Sequence, residues 1–496
     1  MNAAITPVER AEQQFLHATS IVAVIFALCV AAFAIWQAVL RIPQYFELDY
    51  GEGFVWNTVA ELLAGRIYRP IEEYPHVMTH YTPVYYAVVA VLSKLGFDPL
   101  LAGRLVSLVA GGALLGAVAL LAARAIPPAA PRRLRFVAGL VAASVLAGMP
   151  VFLLWSTMMR VDMLAMALST MGLVALQRRA QGRRWLFWAG ACFLMALLTK
   201  QNTVAPLIAG VAALAIVERG TAVRFTAALA ATGLAVVLAA EAATQGEFLR
   251  HNVLYVTARF SWDQFAELGL LGLLLAAIAA VPLLVAAIFS VKKLWQIRQS
   301  STWRDEPAPW TVIALSVDLA VGLVLSLGIG KIGGNLNYML PLLIPAAALA
   351  GAALVEVPRS WAPLLVWALA LSLVGGFAVF PFQSRAHLAK HDQAGRALLG
   401  IVRATPGPVL SEDITLLMRA GRPMPWEFTG ITELSRLGIF DEDLVVQRLD
   451  RGWFDILIVN NWKPLFFTDE VKNAAQRRYQ QVSAVGIFQI WQRRAP

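Results

Sequence analysis

The segment Phe46-Glu47-Leu48-Asp49-Tyr50-Gly51-Glu52-Gly53 places carboxylates at Asp49 and Glu52 immediately beyond an apolar run, 18–40, that is long enough to span a bilayer. If the chain turns helically here, the three-residue offset sets both carboxylates on one face. Paired carboxylates serve as a general base toward an attacking hydroxyl, or as hard oxygen ligands for a metal. The plainer alternative is a solvated loop in which Asp49 caps a helix running through Trp56 to Ala64. Around this segment, 41–83 is polar, aromatic and rich in Pro and Gly, and it carries Glu47, Glu61, Glu72 and Glu73 as well. That composition belongs outside the hydrocarbon core.

The remainder of the chain sets this loop in a membrane. Of 496 residues, 59% are hydrophobic and only 15% charged. Soluble domains run nearer ~25% charged, so disorder, coiled coil and a soluble enzyme are excluded. After the short apolar stretch 84–95, which suits a juxtamembrane helix, apolar runs recur at 99–123, 136–155, 162–177, 185–199, 203–217, 225–243, 266–291, 310–329, 338–356 and 361–380. With 18–40 they predict about eleven spans at ~20 residues each. Cys29 and Cys192 both lie inside apolar runs and read as small hydrophobes.

The formal charge of +10 is mostly an orientation signal and not a nucleic-acid signal, since no nucleic-acid-binding motif is present. Arg124, Arg132, Arg133 and Arg135 fall in one short loop, and Arg178, Arg179, Arg183 and Arg184 in another. Arg219 and Arg224, then Lys292, Lys293, Arg298 and Arg304, then Arg359 fall in three more. These loops alternate, which puts them and the N-terminus in the cytoplasm and the loop 41–83 outside. The tail, 381–496, is charged and mixed, with helix-like stretches at 384–404, 441–451 and 468–483 and strand-like runs at 408–411, 454–459 and 486–491. The expected organisation is therefore a polytopic helical membrane domain, 1–380, whose first outer loop with juxtamembrane helices is 41–98, followed by a small extracytoplasmic α/β domain, 381–496.

Cations are scarce on the outer face, so the few there need an explanation. Arg160 and Asp162 follow the third span, Lys200 ends the fifth, Arg250 and Arg259 lie in 244–265, and Lys331 opens Lys331-Ile332-Gly333-Gly334-Asn335-Leu336-Asn337-Tyr338. A phosphate at the membrane surface would draw such cations together; the alternative is snorkelling to headgroups. His80 lies among aromatics in Thr79-His80-Tyr81-Thr82-Pro83 and reads either as a metal ligand or as a hydrogen-bonded structural residue. Tyr85 and Tyr86 read as interface anchors. Asp318 and Glu241, in or at the edge of apolar helices, have no evident partner.

One helix, an outer loop opening with an acidic pair, an aromatic Tyr-x-Pro approach to a short helix, Arg-x-Asp after the third span and a Thr-Lys turn after the fifth form a recognisable order. The chain resembles the GT-C superfamily of membrane glycosyltransferases, in the group that includes the lipid A aminoarabinose transferases and the protein O-mannosyltransferases. The resemblance covers about 18–360. It implies inverting transfer of a sugar from a polyprenyl-phosphate donor to a lipid, glycan or protein acceptor of the envelope, at the outer face of the inner membrane. On this resemblance Asp49 is the general base with Glu52 as partner or substitute, and Lys200, Arg259 and Lys331 bind the donor phosphate. Asp162, His80 and Arg160 support the site or hold a divalent cation, Mg or Mn, while Tyr81 and Tyr338 line it. The form Asp49-Tyr50-Gly51-Glu52 departs from the family's commoner adjacent Asp-Glu, which leaves the identity of the base open.

A transporter or flippase using the same cations is the rival reading. It predicts inverted repeats and broken midplane helices, neither of which the sequence displays. A noncatalytic assembly or sensing role would leave the acidic pair without purpose.

Overall fold

The computed structural model describes residues 7–299, 307–355, 357–358, 361–379 and 383–494; Arg304, Arg359 and the expected domain boundary at 380/381 lie outside them. The chain opens with α1 (Pro7–Arg41), α2 (Tyr50–Leu63), α3 (Val84–Lys94), α4 (Pro99–Arg124), α5 (Arg132–Ala147) and α6 (Pro150–Ser156). It continues through α7 (Asp162–Gln177), α8 (Arg184–Leu197), α9 (Ala205–Val217), α10 (Arg219–Ala243), the single turn α11 (Glu247–Leu249) and the long α12 (Trp262–Gln299). Next come α13 (Pro307–Ser326), α14 (Leu340–Ala352) and α15 (Ala362–Val379).

Four stretches among the described residues are long and apolar enough to cross a membrane: Ile21–Arg41, Pro99–Arg124, Arg219–Ala243 and Pro307–Gly330. The pair α5–α6, bent by 75°, makes a fifth if it acts as one span. The expected count of about eleven exceeds this. Several of the apolar runs become helices of only 16, 14 and 13 residues, in α7, α8 and α9. At 1.5 Å per residue these are about 20–24 Å long, short of a ~30 Å hydrocarbon core. Polar breaks such as Arg160-Val161-Asp162 and Lys200-Gln201-Asn202 end them early, and those breaks build the site. Elsewhere the helices approach closely because small residues allow it. A Cβ at Gly322 of α13 would collide with the backbone of Pro341 in α14.

Asp49 has extended backbone (φ −148°, ψ 137°) and its side chain accepts the Gly51 N–H, so it is the N-cap of α2. The helix stops before Gly65, whose φ of +71° suits glycine. The stretch 84–95 forms the short helix expected, α3, of 11 residues.

In the tail, α16 (Arg385–Ala404), α17 (Ile414–Arg419), α18 (Phe428–Arg436), α19 (Asp443–Asp450) and α20 (Asp469–Arg478) surround four strands. These are β1 (Val409–Ser411), β2 (Ile456–Val459), β3 (Tyr479–Val485) and β4 (Phe488–Arg493), in the order β1-β2-β4-β3, with β1 and β2 parallel. The expected helix 468–483 ends at Arg478; its last part is β3, turned at Gly486 (φ +60°) into an antiparallel pair with β4. The tail shares its core with the outer loop: Phe54, Ile71, Val77 and Met78 pack with Trp426, Phe428 and Phe454. His76 donates its N–H to the Pro425 carbonyl and accepts that of Glu427. This packing brings α18 over the acidic loop.

Candidate active site

The acidic segment divides into two roles. Glu52 is fully buried, and its Oε1 accepts Arg104 Nε at 2.8 Å and the Met159 N–H at 2.7 Å. Its Oε2 accepts Arg104 Nη2 at 2.7 Å and the Leu48 N–H at 2.6 Å. Burial pushes the carboxyl up, but the Arg104 guanidinium and these hydrogen bonds more than offset it, so Glu52 sits below the ordinary glutamate value. With both oxygens doubly occupied, it has no acceptor position left for an incoming hydroxyl. Asp49 differs. Its Oδ1 accepts the Gly51 N–H at 3.0 Å and Arg160 Nη1 at 3.1 Å, while Oδ2 has no hydrogen bond among the described residues, and the side chain is 21% exposed. Burial raises the Asp49 carboxyl above its usual value, and Arg160 and the Gly51 N–H only partly pull it back.

Beside this pair lies a cavity of about 220 Å³. Its lining includes Tyr50, His80, Tyr81, Arg160, Lys200 and Lys331, together with Asn337 and Tyr338. Lys200, in the turn between α8 and α9, is held by Asp162 Oδ1 at 2.6 Å and lies 5.6 Å from the ring centres of both Tyr81 and Tyr338. Burial disfavours its charge, yet Asp162 overcomes this and holds the ammonium above its ordinary value. Asn337 Nδ2 donates to the same Asp162 oxygen at 2.7 Å. Lys331 donates to the Val256 carbonyl, and burial lowers its ammonium.

The cavity therefore gathers Arg160, Lys200, Lys331, His80, Tyr81 and Tyr338, with Asp49 one ion pair away. Two of the expected site residues stand elsewhere. Glu52 braces α2 against α4, and Arg259 is clamped to Glu433 of α18 by its N–H at 3.1 Å, Nε at 2.8 Å and Nη2 at 3.0 Å. Arg259 is 51% exposed and does not line the cavity, whereas Glu433 does. Arg250 pairs with Glu247 at 2.8 Å.

The residues offered for a divalent cation do not make a ligand set. Among the described residues no three His, Cys, Asp or Glu side chains are arranged to hold a metal. The Asp162 carboxylate already carries an ammonium and an amide donor, and His80 faces Glu427 Oε2 at 3.3 Å. Burial opposes the charge on Glu427, but His80, Thr429 and the Gly430 N–H outweigh it and hold this carboxyl below its ordinary value.

Sequence reasoning missed Arg104, Asn337, Glu427 and Glu433. Arg104 was visible as a cation inside the apolar run 99–123, where an unpaired charge is costly and a buried carboxylate partner is demanded. Glu427, the N-cap of α18, and Glu433 within it carry no local signal, because only folding of the tail onto the loop brings them to His80 and Arg259.

The family model for dolichyl-phosphate-mannose-protein mannosyltransferase matches residues 80–243, which include His80, Tyr81, Arg160, Asp162 and Lys200. No curated protein matches the sequence. Among solved structures, ArnT from Cupriavidus metallidurans bound to undecaprenyl phosphate aligns at a TM-score of 0.59 with 15% identity, covering 94% of this chain and 97% of that one. AglB, an oligosaccharyltransferase from Archaeoglobus fulgidus, in complex with an inhibitory peptide and a dolichol-phosphate, aligns at 0.54 with 11% identity, covering 94% of this chain and 74% of that one. The Archaeoglobus fulgidus oligosaccharyltransferase complexed with Zn and sulfate aligns at 0.52 with 13% identity, covering 92% of this chain and 71% of that one. In fold the chain is similar to ArnT and the archaeal oligosaccharyltransferases over nearly its whole length, and the segment matched by the family model contributes His80, Tyr81, Arg160 and Lys200 to the cavity.

Proposed function

We propose that this chain is an inverting glycosyltransferase that moves a sugar from a polyprenyl-phosphate donor to an envelope acceptor at the outer face of the inner membrane. The observation that carries the reading is the convergence of Arg160, Lys200 and Lys331 on one cavity next to Asp49, whose Oδ2 is free of hydrogen bonds among the described residues. Undecaprenyl phosphate in ArnT and dolichol-phosphate in AglB support a donor of this class.

In the proposed reaction the acceptor hydroxyl attacks the anomeric carbon while its proton passes to Asp49 Oδ2. The bond from that carbon to the phosphate oxygen breaks on the opposite face, and its electron pair leaves with the polyprenyl phosphate. Lys200, Lys331 and Arg160 stabilise the charge developing on that phosphate. Tyr81 and Tyr338 each set a ring 5.6 Å from the Lys200 ammonium and give the sugar apolar faces to lie against. Glu52 takes no part beyond fixing α2, and no step is routed through a metal. In this reading the N-terminus lies in the cytoplasm and the tail outside.

The test supplies purified protein with radiolabelled polyprenyl-phosphate sugars and a crude envelope acceptor, beside Asp49→Asn and Lys331→Ala. Loss of label from the donor with the wild type, and its retention with Asp49→Asn, is the expected result. Full transfer by both variants would sink the proposal.

A further inference from the structure

A second concavity, of about 590 Å³, opens where the outer end of α1 meets α16. Its floor is Trp36, Val39, Leu40 and Pro43, and its rim carries Arg385, Asp392 and Arg396. Trp36 and Val39, 50% and 65% exposed, continue the exposed stripe of Ile25, Leu28 and Ile35 along the spanning part of α1. An exposed apolar stripe on a spanning helix faces acyl chains, and a tryptophan at its end sits at headgroup level.

The rim has a matching chemistry. Arg396 donates Nε to Asp392 Oδ2 at 2.7 Å, leaves most of its guanidinium exposed and lies 5.1 Å over the Tyr45 ring. Arg385, in the first turn of α16, is exposed. The remaining oxygen, Asp392 Oδ1, is buried and accepts no hydrogen bond among the described residues. The groove therefore offers a net positive rim, with Arg385 and Arg396 against Asp392, and an apolar wall open to the bilayer.

We propose that this groove binds an anionic phospholipid, of the phosphatidylglycerol class, through its net positive rim and exposed apolar wall. Its anionic headgroup lies along the rim formed by Arg385 and Arg396, and an acyl chain runs along Trp36 and Val39. The site is separate from the cavity lined by Lys200 and Lys331, yet it is coupled to the acidic loop through α16. His391 Nε2 lies 2.9 Å from the Glu47 carbonyl, and Gly395 leaves room for the Phe46 ring against the helix. A lipid seated here braces the helix on which Phe46 and Glu47, just before Asp49, are packed.

The experiment is native mass spectrometry of the full chain released from detergent containing equal phosphatidylglycerol and phosphatidylethanolamine. The wild type is expected to retain phosphatidylglycerol in preference, and the preference to fall roughly fivefold for each cation removed in Arg385→Ala and in Arg385→Ala/Arg396→Ala. Arg183→Ala/Arg184→Ala, at the opposite face, is expected to keep it. Unchanged thermal melting of each variant establishes that folding is intact, and the exposed single substitution Arg385→Glu gives a second reading should the double variant fold poorly. Equal retention of phosphatidylglycerol by wild type and Arg385→Glu, or equal retention of the two lipids by the wild type, would overturn the proposal.

Discussion

At the scale of single residues, the difference between Asp49 and Glu52 is one of satisfied valence, and it yields opposite consequences for substitution. Asparagine caps a helix as well as aspartate does, so Asp49→Asn keeps α2 while removing the proposed base. Transfer is expected to fall by ~10²–10⁴-fold with unchanged melting, read by donor consumption and by thermal denaturation. Glu52→Gln instead strands the Arg104 charge in a buried site, which costs about 3–5 kcal/mol. It is expected to show as a lowered melting temperature and poor yield. The pH profile follows from the same geometry. The Asp49 carboxyl is raised by burial and partly held down by Arg160, so its ionised form is lost as pH falls through a value above the ~3.9 of a free aspartate. Removing the cation in Arg160→Met raises that value further, so the acid limb of the rate profile moves to higher pH; movement to lower pH would contradict the assignment. In the sequence, the carboxylates and the cations at the helix ends were legible as residue types that the structure brings near one another. Which one was free was not, because Arg104 reaches Glu52 across 52 positions.

At the scale of elements, the site stands where helices end early. The breaks after α6 and α8 that deny full spanning length also present Arg160, Asp162 and Lys200 side by side. The capping of α2 by Asp49 was readable from the sequence as an alternative to catalysis, and the structure makes it a fact: the N-cap geometry holds the side chain in place and leaves one oxygen over. Less legible were α17 and α18. They are short, and Glu427 is an unusual N-cap whose oxygens accept the Thr429 and Gly430 N–H groups. Likewise β3 looked helical because its polar residues continue the pattern of α20, and only pairing with β4 settles its form. The end of α17 offers a test of how the tail is fastened. Arg419 binds both oxygens of Asp98 and the Tyr45 carbonyl, and stacks on Tyr45 and Trp56. Arg419→Ala is expected to cost about 1.5–3 kcal/mol, measured as loss of melting temperature, with Arg419→Lys recovering only part.

At the scale of the whole molecule, composition announced the membrane and the sorting of cations announced an orientation, while the number of spans was not legible from apolar runs alone. Chemical labelling tests the orientation. With Cys29→Ala and Cys192→Ala as background, Glu73→Cys is expected to react with an impermeant thiol reagent on intact cells, and Arg183→Cys only after permeabilisation. The reverse pattern would invert the assignment. The central claim is that the cavity under the tail accepts a polyprenyl-phosphate sugar and that Asp49 deprotonates the acceptor. The most direct measurement follows radiolabelled sugar on polyprenyl phosphate through incubation with purified wild type or Asp49→Asn and envelope acceptor. Label is predicted to leave the lipid phosphate with the wild type and to stay on it with the variant; label that stays with both, or leaves equally with both, would contradict the account.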